Sequence, residues 1–269
     1  MRSVTHKTRT PRTSGILLVF VCVAGIPALL ASQGRGGQPP QSPRAAAPID
    51  LTGNWVSIVS EDWRWRMVTP LKGDSASIPI NAEARKIVDA WDPATDEAAG
   101  LQCRAYGAPA IMRVPGRLRI TWQDDNTLQI ETDAGTQTRL LRFGGQAPPS
   151  TPPSWQGYSL ARWEPGLAAV RGGAGLGLGP RQGVRRRSLE VVTTNLSLGY
   201  LRKNGVPYSE RTTLTEYFER FSEPDGAERL MVMTIVADPV YLAVPFVTTS
   251  DFKKEPDGSK WDPTPCSAR

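Results

Sequence analysis

Apolar and polar residues alternate along much of this chain, in the pattern that is typical of half-buried β-strands. Leu118, Ile120 and Trp122 recur at every second position, and the turn-forming run Asp124–Asn126 follows them directly. Because successive side chains of a strand point to opposite faces of a sheet, this spacing predicts a strand with one buried face. Short turns between such segments predict antiparallel hairpins over residues 118–143.

Helical spacing is clear in one place only. Ala84, Val88 and Trp91 recur every three or four residues after Asn81, which can cap a helix, and a proline soon ends the pattern. A second short helix is expected over residues 94–99. Further segments with strand-like alternation predict strands at 51–68, 155–164, 189–196, 212–221, 230–237 and 246–252.

These elements predict a mainly β protein, either an antiparallel β-barrel or a strongly curved sheet, with one or two short helices. Closure into a barrel removes the edge strands that otherwise pair with other chains. A barrel of about eight strands can also enclose one small ligand. Two sheets packed face to face, an aligned sandwich, are the structural alternative.

The N-terminal part of the chain has the form of a secretory signal peptide, which we place at residues 1–31. Arg2, Lys7, Arg9 and Arg12 precede an apolar run, and no acidic residue lies in this leader. We therefore expect a periplasmic or secreted protein, with an uncleaved membrane anchor as the alternative.

Composition divides the remainder into a spacer and a domain. Residues 32–48 are rich in Gly, Pro, Gln and Ala, and they predict a flexible spacer. Residues 49–269 predict a single β domain, which is an ordinary length for one barrel. Within that domain, the Gly-rich segment 166–187 predicts a long loop.

Charge and histidine content narrow the chemistry. The chain carries a net charge of +6, but four positive charges belong to the leader, so the remainder carries only +2. That balance does not indicate a nucleic-acid partner.

The only histidine, His6, also lies in the leader, which removes the usual general base near neutral pH and the preferred zinc ligand from the rest of the chain. We predict neither a metal site nor a cofactor, and membrane contact only through an uncleaved leader; the oligomeric state is not indicated.

Two cysteines, Cys103 and Cys266, lie outside the leader. In an oxidising compartment an even pair predicts a disulfide, and two buried thiols are the alternative. A catalytic cysteine is not expected, because neither has a histidine partner.

Short motifs between these cysteines follow one another in an order that resembles a secreted bacterial family of unassigned function. The resemblance implies export and the cysteine pair but no mechanism, and the opening residues Asp50–Trp55 are also similar to the start of lipocalin-like barrels. Members of that family often carry histidines where this chain has Asn204–Val206. The matching motifs are Gly107–Pro109, Trp155–Ser159, Trp163–Glu164, Leu189–Val191, Pro207–Glu210, Thr215–Arg220, Asp238–Pro239 and Pro245–Phe246.

The most distinctive local pattern is a run of alternating tryptophan and arginine. On a strand, Trp63 and Trp65 would face one way, and Arg64 and Arg66 the other. Together with Trp122, these side chains could line a pocket for a small, partly apolar ligand whose anionic group an arginine holds. The alternative is that the tryptophans belong to the core and the arginines are solvated or paired with acids. The first interpretation makes the protein an exported small-molecule-binding barrel.

Two other functions remain open at this point. A histidine-free isomerase, hydratase or hydrolase would use a carboxylate with an arginine, and Asp62, Glu210 and Glu216 are the candidates for its acid or base. More often such acids pair with arginines across strands, as Glu216 or Glu219 could with Arg139 or Arg142. An envelope structural or interaction protein would instead have a filled core and an exposed apolar patch.

Overall fold

Nine strands form one closed β-barrel in the computed structural model, which describes residues 41–164 and 188–268. Two further short strands, β7 and β8, form a separate hairpin. The strands are β1 (Gly53–Ile58), β2 (Arg117–Trp122), β3 (Thr127–Thr132), β4 (Gln137–Phe143), β5 (Tyr158–Trp163), β6 (Ser188–Thr194), β7 (Gly199–Arg202), β8 (Val206–Tyr208), β9 (Thr213–Ser222), β10 (Glu228–Ala237) and β11 (Phe246–Glu255).

Around the barrel the strands follow the order β1–β11–β10–β9–β6–β5–β4–β3–β2, and β2 pairs with β1 to close it. The predicted barrel is therefore confirmed, and its last strand, β11, completes the closure by pairing with both β10 and β1. One neighbouring pair, β4 and β5, is parallel, which the hairpin pattern did not predict. The long connection 144–157 makes this possible, because a parallel pair needs a connection that returns the chain to the same end.

Five short helical segments accompany the strands, and they are α1 (Trp63–Arg66), α2 (Ala82–Ala90), α3 (Pro93–Ala98), a 3₁₀ helix (Gln102–Tyr106) and α4 (Ala108–Ile111). The two helices that the sequence predicted, α2 and α3, are confirmed. Asn81 caps α2, since its side-chain oxygen accepts hydrogen bonds from the backbone N–H groups of Glu83 and Ala84 at 3.1 and 3.0 Å.

The prediction that Trp63–Met67 continue a strand is wrong. β1 ends at Ile58, Asp62 takes a left-handed conformation with φ of 52°, and residues 63–66 form the single turn of α1. The backbone N–H of Met67 donates to the carbonyl of Trp63 at 2.9 Å, as a helical turn requires. A run of only four residues is too short to distinguish alternation from helical periodicity, so the pattern had no power to exclude a helix.

Side chains from the strands fill the barrel interior. The inward-facing positions are mostly large apolar residues, and Trp55, Phe218 and Phe252 are among the largest of those that are fully buried. Polar side chains also lie in this core, and two of them, Arg139 and Glu216, form an ion pair. The protein's own side chains occupy the barrel interior, so the interior does not provide the ligand pocket that a barrel of this size can enclose.

Buried apolar residues form two clusters, and both include residues outside the strands. The 3₁₀ helix and α4 contribute Tyr106 and Ile111 to the cluster that fills the barrel. A second cluster joins α2 and the β7–β8 hairpin to the ends of β9 and β10, with Tyr208 and Leu214 fully buried in it. The helices and the hairpin are therefore fixed to the barrel by apolar packing.

An aromatic cluster lies where β2, β4 and β5 end. Phe143 contacts Trp122 and Trp163, with ring centroids 5.5 and 5.4 Å apart. The described part of the predicted spacer, residues 41–48, contacts this end of the barrel, because the indole N–H of Trp163 donates to the carbonyl of Pro43 at 2.8 Å.

Several predictions concern residues outside the described ranges. The signal peptide at 1–31, most of the spacer and the Gly-rich loop at 166–187 all fall there. Within residues 41–164 and 188–268, no helix has the length and apolar character needed to cross a membrane.

Candidate functional site

A cleft of about 300 Å³ lies outside the barrel, beside α1 and the segment that follows it. The 3₁₀ helix, the connection from α4 to β2 and the end of β7 form its other walls. We call it the cationic cleft. It is lined by Trp65, Arg66, Met67, Val68, Thr69, Pro70, Ala105, Tyr106, Ala110, Arg113, Val114, Pro115, Ala134, Leu201, Arg202, Lys203 and Thr264.

The charged side chains that line the cleft within residues 41–164 and 188–268 are all positive. They are Arg66, Arg113, Arg202 and Lys203, and no aspartate or glutamate of those ranges lines it. The three arginines are buried residues, and Lys203 is half-buried. Buried cations are rare in proteins unless a counter-charge accompanies them, so the partners of these four groups decide what the cleft can bind.

Two of the arginines have carboxylate partners behind the cleft. Arg66 donates to Glu61 at 2.9 Å, and Arg113 donates to Asp62 at 2.7 Å. Arg66 also donates through Nε to the backbone carbonyl of Arg113 at 2.9 Å, so the two residues are held next to each other. Burial lowers the pKa of Arg66, and the positive charge of Arg113 lowers it further, against the opposing effect of Glu61.

The other two cations have no carboxylate within ion-pairing distance among the described residues. Arg202 instead donates to the carbonyl of Ala76 at 3.0 Å and to the hydroxyl of Ser77 at 3.2 Å, which fixes the loop before α2. Burial lowers the pKa of Arg202 to about 10, and the charge of Arg113 contributes to this shift, while the negative charges of Asp74 and Asp62 oppose it. That value is still far above neutral, so Arg202 keeps its charge at neutral pH without an ion-paired carboxylate in the described part of the chain.

Aromatic rings cover part of these cations. The guanidinium of Arg202 lies over the Trp65 ring, 5.2 Å from its centroid, and the Lys203 ammonium lies 5.6 Å from the centroid of Tyr106. Trp65 is itself held in place, because its indole N–H donates to Asp74 at 3.0 Å. The cleft therefore combines fixed aromatic walls with positive charge.

Two structural features hold Tyr106 in the wall of the cleft. Gly135 has φ of +76° and lies directly against the ring of Tyr106, where a Cβ atom would overlap the ring. The disulfide between Cys103 and Cys266 joins the 3₁₀ helix that carries Tyr106 to the C-terminal segment. This disulfide confirms the cysteine pair that the sequence predicted.

Only two of the five predicted ligand-binding residues lie in the cationic cleft. Trp65 and Arg66 line it, whereas Trp63 and Arg64 are exposed and do not. Trp122 is at the far end of β2, in the aromatic cluster near Phe143. Trp63 and Trp65 do not face the barrel interior, because they lie in α1 and not on a strand of the sheet.

The three predicted acid–base candidates lie apart from one another. Glu216 is fully buried in the barrel and paired with Arg139, so no substrate can reach it. Asp62 is paired with Arg113 behind the cleft, and Glu210 is exposed on the connection between β8 and β9. The ion pair of Glu216 with Arg139, one of the pairings that the sequence left open, is present in the structure.

Sequence reasoning did not find the rest of the cleft. Tyr106, Arg113, Arg202 and Lys203 come from three separate segments, and none stands in a pattern that distinguishes it from the other basic or aromatic residues. The alternation of tryptophan and arginine over residues 63–66 was the only local signal. It identified Trp65 and Arg66 correctly, although the strand predicted for them is a helical turn.

A second depression is lined by residues of α2, α3, the 3₁₀ helix and β7. There Asp96 accepts hydrogen bonds from Trp91 at 3.2 Å, Arg104 at 2.9 Å and the Tyr200 hydroxyl at 3.3 Å. Burial raises the pKa of Tyr200. Because Asp96 is already satisfied by three donors, this network ties the helices to the hairpin rather than presenting a free acid.

Among the described residues, no three histidine, cysteine, aspartate or glutamate side chains come close enough to hold a metal ion. Comparison of the chain with protein-family models, with curated proteins and with solved structures finds no match.

Proposed function

We propose that this chain is an exported protein that binds a small, partly apolar anion in the cationic cleft. One observation carries the proposal: among the described residues the cleft is lined by four cations and no acid, and two of those cations, Arg202 and Lys203, form no ion pair with a carboxylate. An anionic ligand would supply a counter-charge in direct contact with them.

The rest of the lining indicates the chemistry of the ligand. Met67 and Val68 on one wall, and Val114 and Pro115 on another, add apolar surface to the cleft. A volume of about 300 Å³ is at the lower end of the range for small-molecule sites. The best-fitting ligand is therefore a carboxylate, sulfonate or phosphate that carries a short apolar group.

Export rests on the predicted signal peptide, on the resemblance to a secreted bacterial family and on the disulfide. The bond between Cys103 and Cys266 is typical of proteins in oxidising compartments. These three observations are independent of the ligand, so export and binding can be tested separately.

Binding is favoured over catalysis by the position of the acids. No carboxylate lines the cationic cleft, and the three acids that an enzyme without histidine would use are sealed in the barrel, paired behind the cleft or isolated on an exposed connection. The cleft can hold an anion, but it offers no group that would accept a proton from it at neutral pH.

The test compares ligands that share a chain and differ in charge. Octyl phosphate and octanoate should change the fluorescence of the protein and raise its melting temperature, whereas octanol should do neither at the same concentration. Lys203→Gln should weaken octyl phosphate binding by about tenfold or more. Lys253→Gln removes an exposed lysine from β11 and is the matched control.

Two results would overturn the proposal. One is equal binding of octanol and octyl phosphate, which would show that charge plays no part. The other is equal loss, or no loss, in the Lys203 and Lys253 variants when both keep the wild-type melting temperature.

A further inference from the structure

Four large apolar side chains project from the surface within residues 63–71. Among the described residues, seven such side chains are exposed, and more than half of them fall in this one short stretch. We call these four residues the apolar strip. They are Trp63, Met67, Val68 and Leu71, which are 64%, 60%, 65% and 82% exposed.

Such a concentration indicates a partner. Single exposed apolar residues are common on soluble proteins, but several together usually mark a surface that another body covers. The strip is formed by the short turn of α1 and the chain that follows; Met67 and Val68 also line the cationic cleft, whereas Trp63 and Leu71 do not. Exposed apolar side chains on so short a segment suit insertion into a soft medium.

The charges beside the strip indicate what that medium is. Arg64 and Lys72 are both exposed, and neither forms an ion pair within the described ranges. The acids of the same stretch are engaged, because Glu61 binds Arg66 and Asp62 binds Arg113. The outward charge next to the apolar strip is therefore positive.

The third acid of the stretch is likewise engaged. Asp74 accepts hydrogen bonds from the Trp65 indole at 3.0 Å and from the backbone N–H of Ala76 at 3.1 Å. Burial raises the pKa of Asp74, but these hydrogen bonds and the charges of Arg202 and Arg64 outweigh it, so the pKa is lowered overall and Asp74 is ionised at neutral pH.

We propose that the apolar strip, with Arg64 and Lys72, docks the folded domain on a membrane surface that carries anionic headgroups. Tryptophan is favoured at the boundary between headgroups and acyl chains, and flanking cations add attraction to anionic lipid. Met67 and Val68 also line the cationic cleft, so docking places the mouth of the cleft at the membrane surface. The proposal concerns a contact of the folded domain and does not require the N-terminal leader.

The experiment uses the full chain and vesicles whose acyl chains carry bromine, which quenches nearby tryptophan fluorescence. Residues 1–48 contain no tryptophan, so quenching reports on the domain even where the leader holds the chain on the vesicle. We expect strong quenching with brominated phosphatidylcholine mixed with phosphatidylglycerol, and weak quenching with brominated phosphatidylcholine alone. The difference between wild type and Trp63→Phe isolates the signal of Trp63.

Variants separate the two parts of the surface. Leu71→Ser should weaken the quenching response by about tenfold or more in lipid concentration, because it removes the most exposed apolar side chain. Arg64→Gln combined with Lys72→Gln should abolish the preference for phosphatidylglycerol. Phe221→Ser removes an exposed apolar side chain from β9, outside the strip, and should leave the response unchanged.

Three outcomes would overturn the proposal. The first is equal quenching of wild type and Trp63→Phe, and the second is an equal response to both vesicle compositions. The third is a concentration-dependent dimer in sedimentation that Leu71→Ser abolishes, because that result would assign the strip to a second copy of the chain. Failure here is distinguishable from failure of ligand binding, because Leu71 does not line the cleft and Leu71→Ser should bind octyl phosphate normally.

Discussion

Arg139 and Glu216 form a bidentate ion pair across the interior of the barrel. The two nitrogen–oxygen distances are 3.0 and 2.6 Å, and neither side chain has any exposed area. The residues belong to β4 and β9, which have β5 and β6 between them, so the pair spans the core and does not lie along a hairpin. Next to it, the hydroxyl of Thr234, which is opposite Glu216 on β10, has no hydrogen-bond partner among the described residues.

Breaking this pair should cost more stability than replacing it. Glu216→Gln leaves the Arg139 charge buried without a counter-charge, and we expect a loss of about 3–5 kcal/mol in the free energy of unfolding. The double variant Arg139→Met with Glu216→Leu removes both charges, so it should be more stable than either single change. Urea unfolding of the variants checks this. A double variant that is less stable than Glu216→Gln would contradict it.

The disulfide should stabilise the domain and keep the cationic cleft intact. Its two cysteines are 163 residues apart in the sequence, so the bond restricts a long loop in the unfolded chain. Replacing Cys103 and Cys266 together by serine should lower the free energy of unfolding by about 2–5 kcal/mol. Thiol reduction of the wild type should give the same value, and octyl phosphate binding should weaken because the Tyr106 segment is released. Unchanged stability in the double variant would contradict the prediction.

Gly135 should tolerate alanine much less well than another glycine with the same backbone conformation. At Gly135 the left-handed φ of +76° is combined with contact against the Tyr106 ring, and we expect Gly135→Ala to cost about 2–5 kcal/mol. Gly144 has φ of +82°, and no atom lies within 4 Å of the position that a Cβ would take there, so Gly144→Ala isolates the backbone cost alone. Thermal unfolding of both variants gives the comparison, and equal losses would show that the ring contact contributes nothing.

Glu190 should make the stability of the barrel depend on pH. It lies opposite Arg162 on β5 and Tyr217 on β9. The hydrogen bond from Arg162 lowers the pKa of Glu190 below its ordinary value of 4.5, burial opposes this, and the Tyr217 hydroxyl, which donates at 3.1 Å, adds to the lowering. Because the folded-state pKa is the lower one, the stabilisation is present above pH 4.5 and is lost as the pH falls through the folded-state value.

The measurement is the melting temperature of wild type and Glu190→Gln across the acidic range. The advantage of the wild type should be full near neutral pH and should shrink below pH 4.5. The effect should be modest, since Arg162 is largely exposed and solvent screens the pair. Glu97→Gln removes an exposed carboxylate from α3 as the control. An advantage that is independent of pH would show that packing, not charge, is responsible.

Local patterns in the sequence were enough to predict the nine barrel strands, though not β7 and β8 and with the first strand extended too far, as well as the helices that Asn81 and Pro93 delimit and the disulfide between Cys103 and Cys266. These features depend on local periodicity, on caps or on a simple count of cysteines, and a linear pattern contains that information. A strand at 246–252 was also predicted, and it is the one that closes the barrel. The parallel pairing of β4 and β5 was not, since pairing depends on the path of the connection.

The candidate site was decided by tertiary structure. A run as short as Trp63–Arg66 satisfies the period of a strand and that of one helical turn, and in the folded chain it is a helical turn whose Arg66 contacts Arg113 and Glu61. The cationic cleft brings together segments that are far apart in the sequence, and no arginine in it is distinctive alone. By itself the sequence determined which segments form the strands of the barrel; the folded chain decided which strand faces are interior and which charges meet, because both depend on distances that no linear spacing encodes.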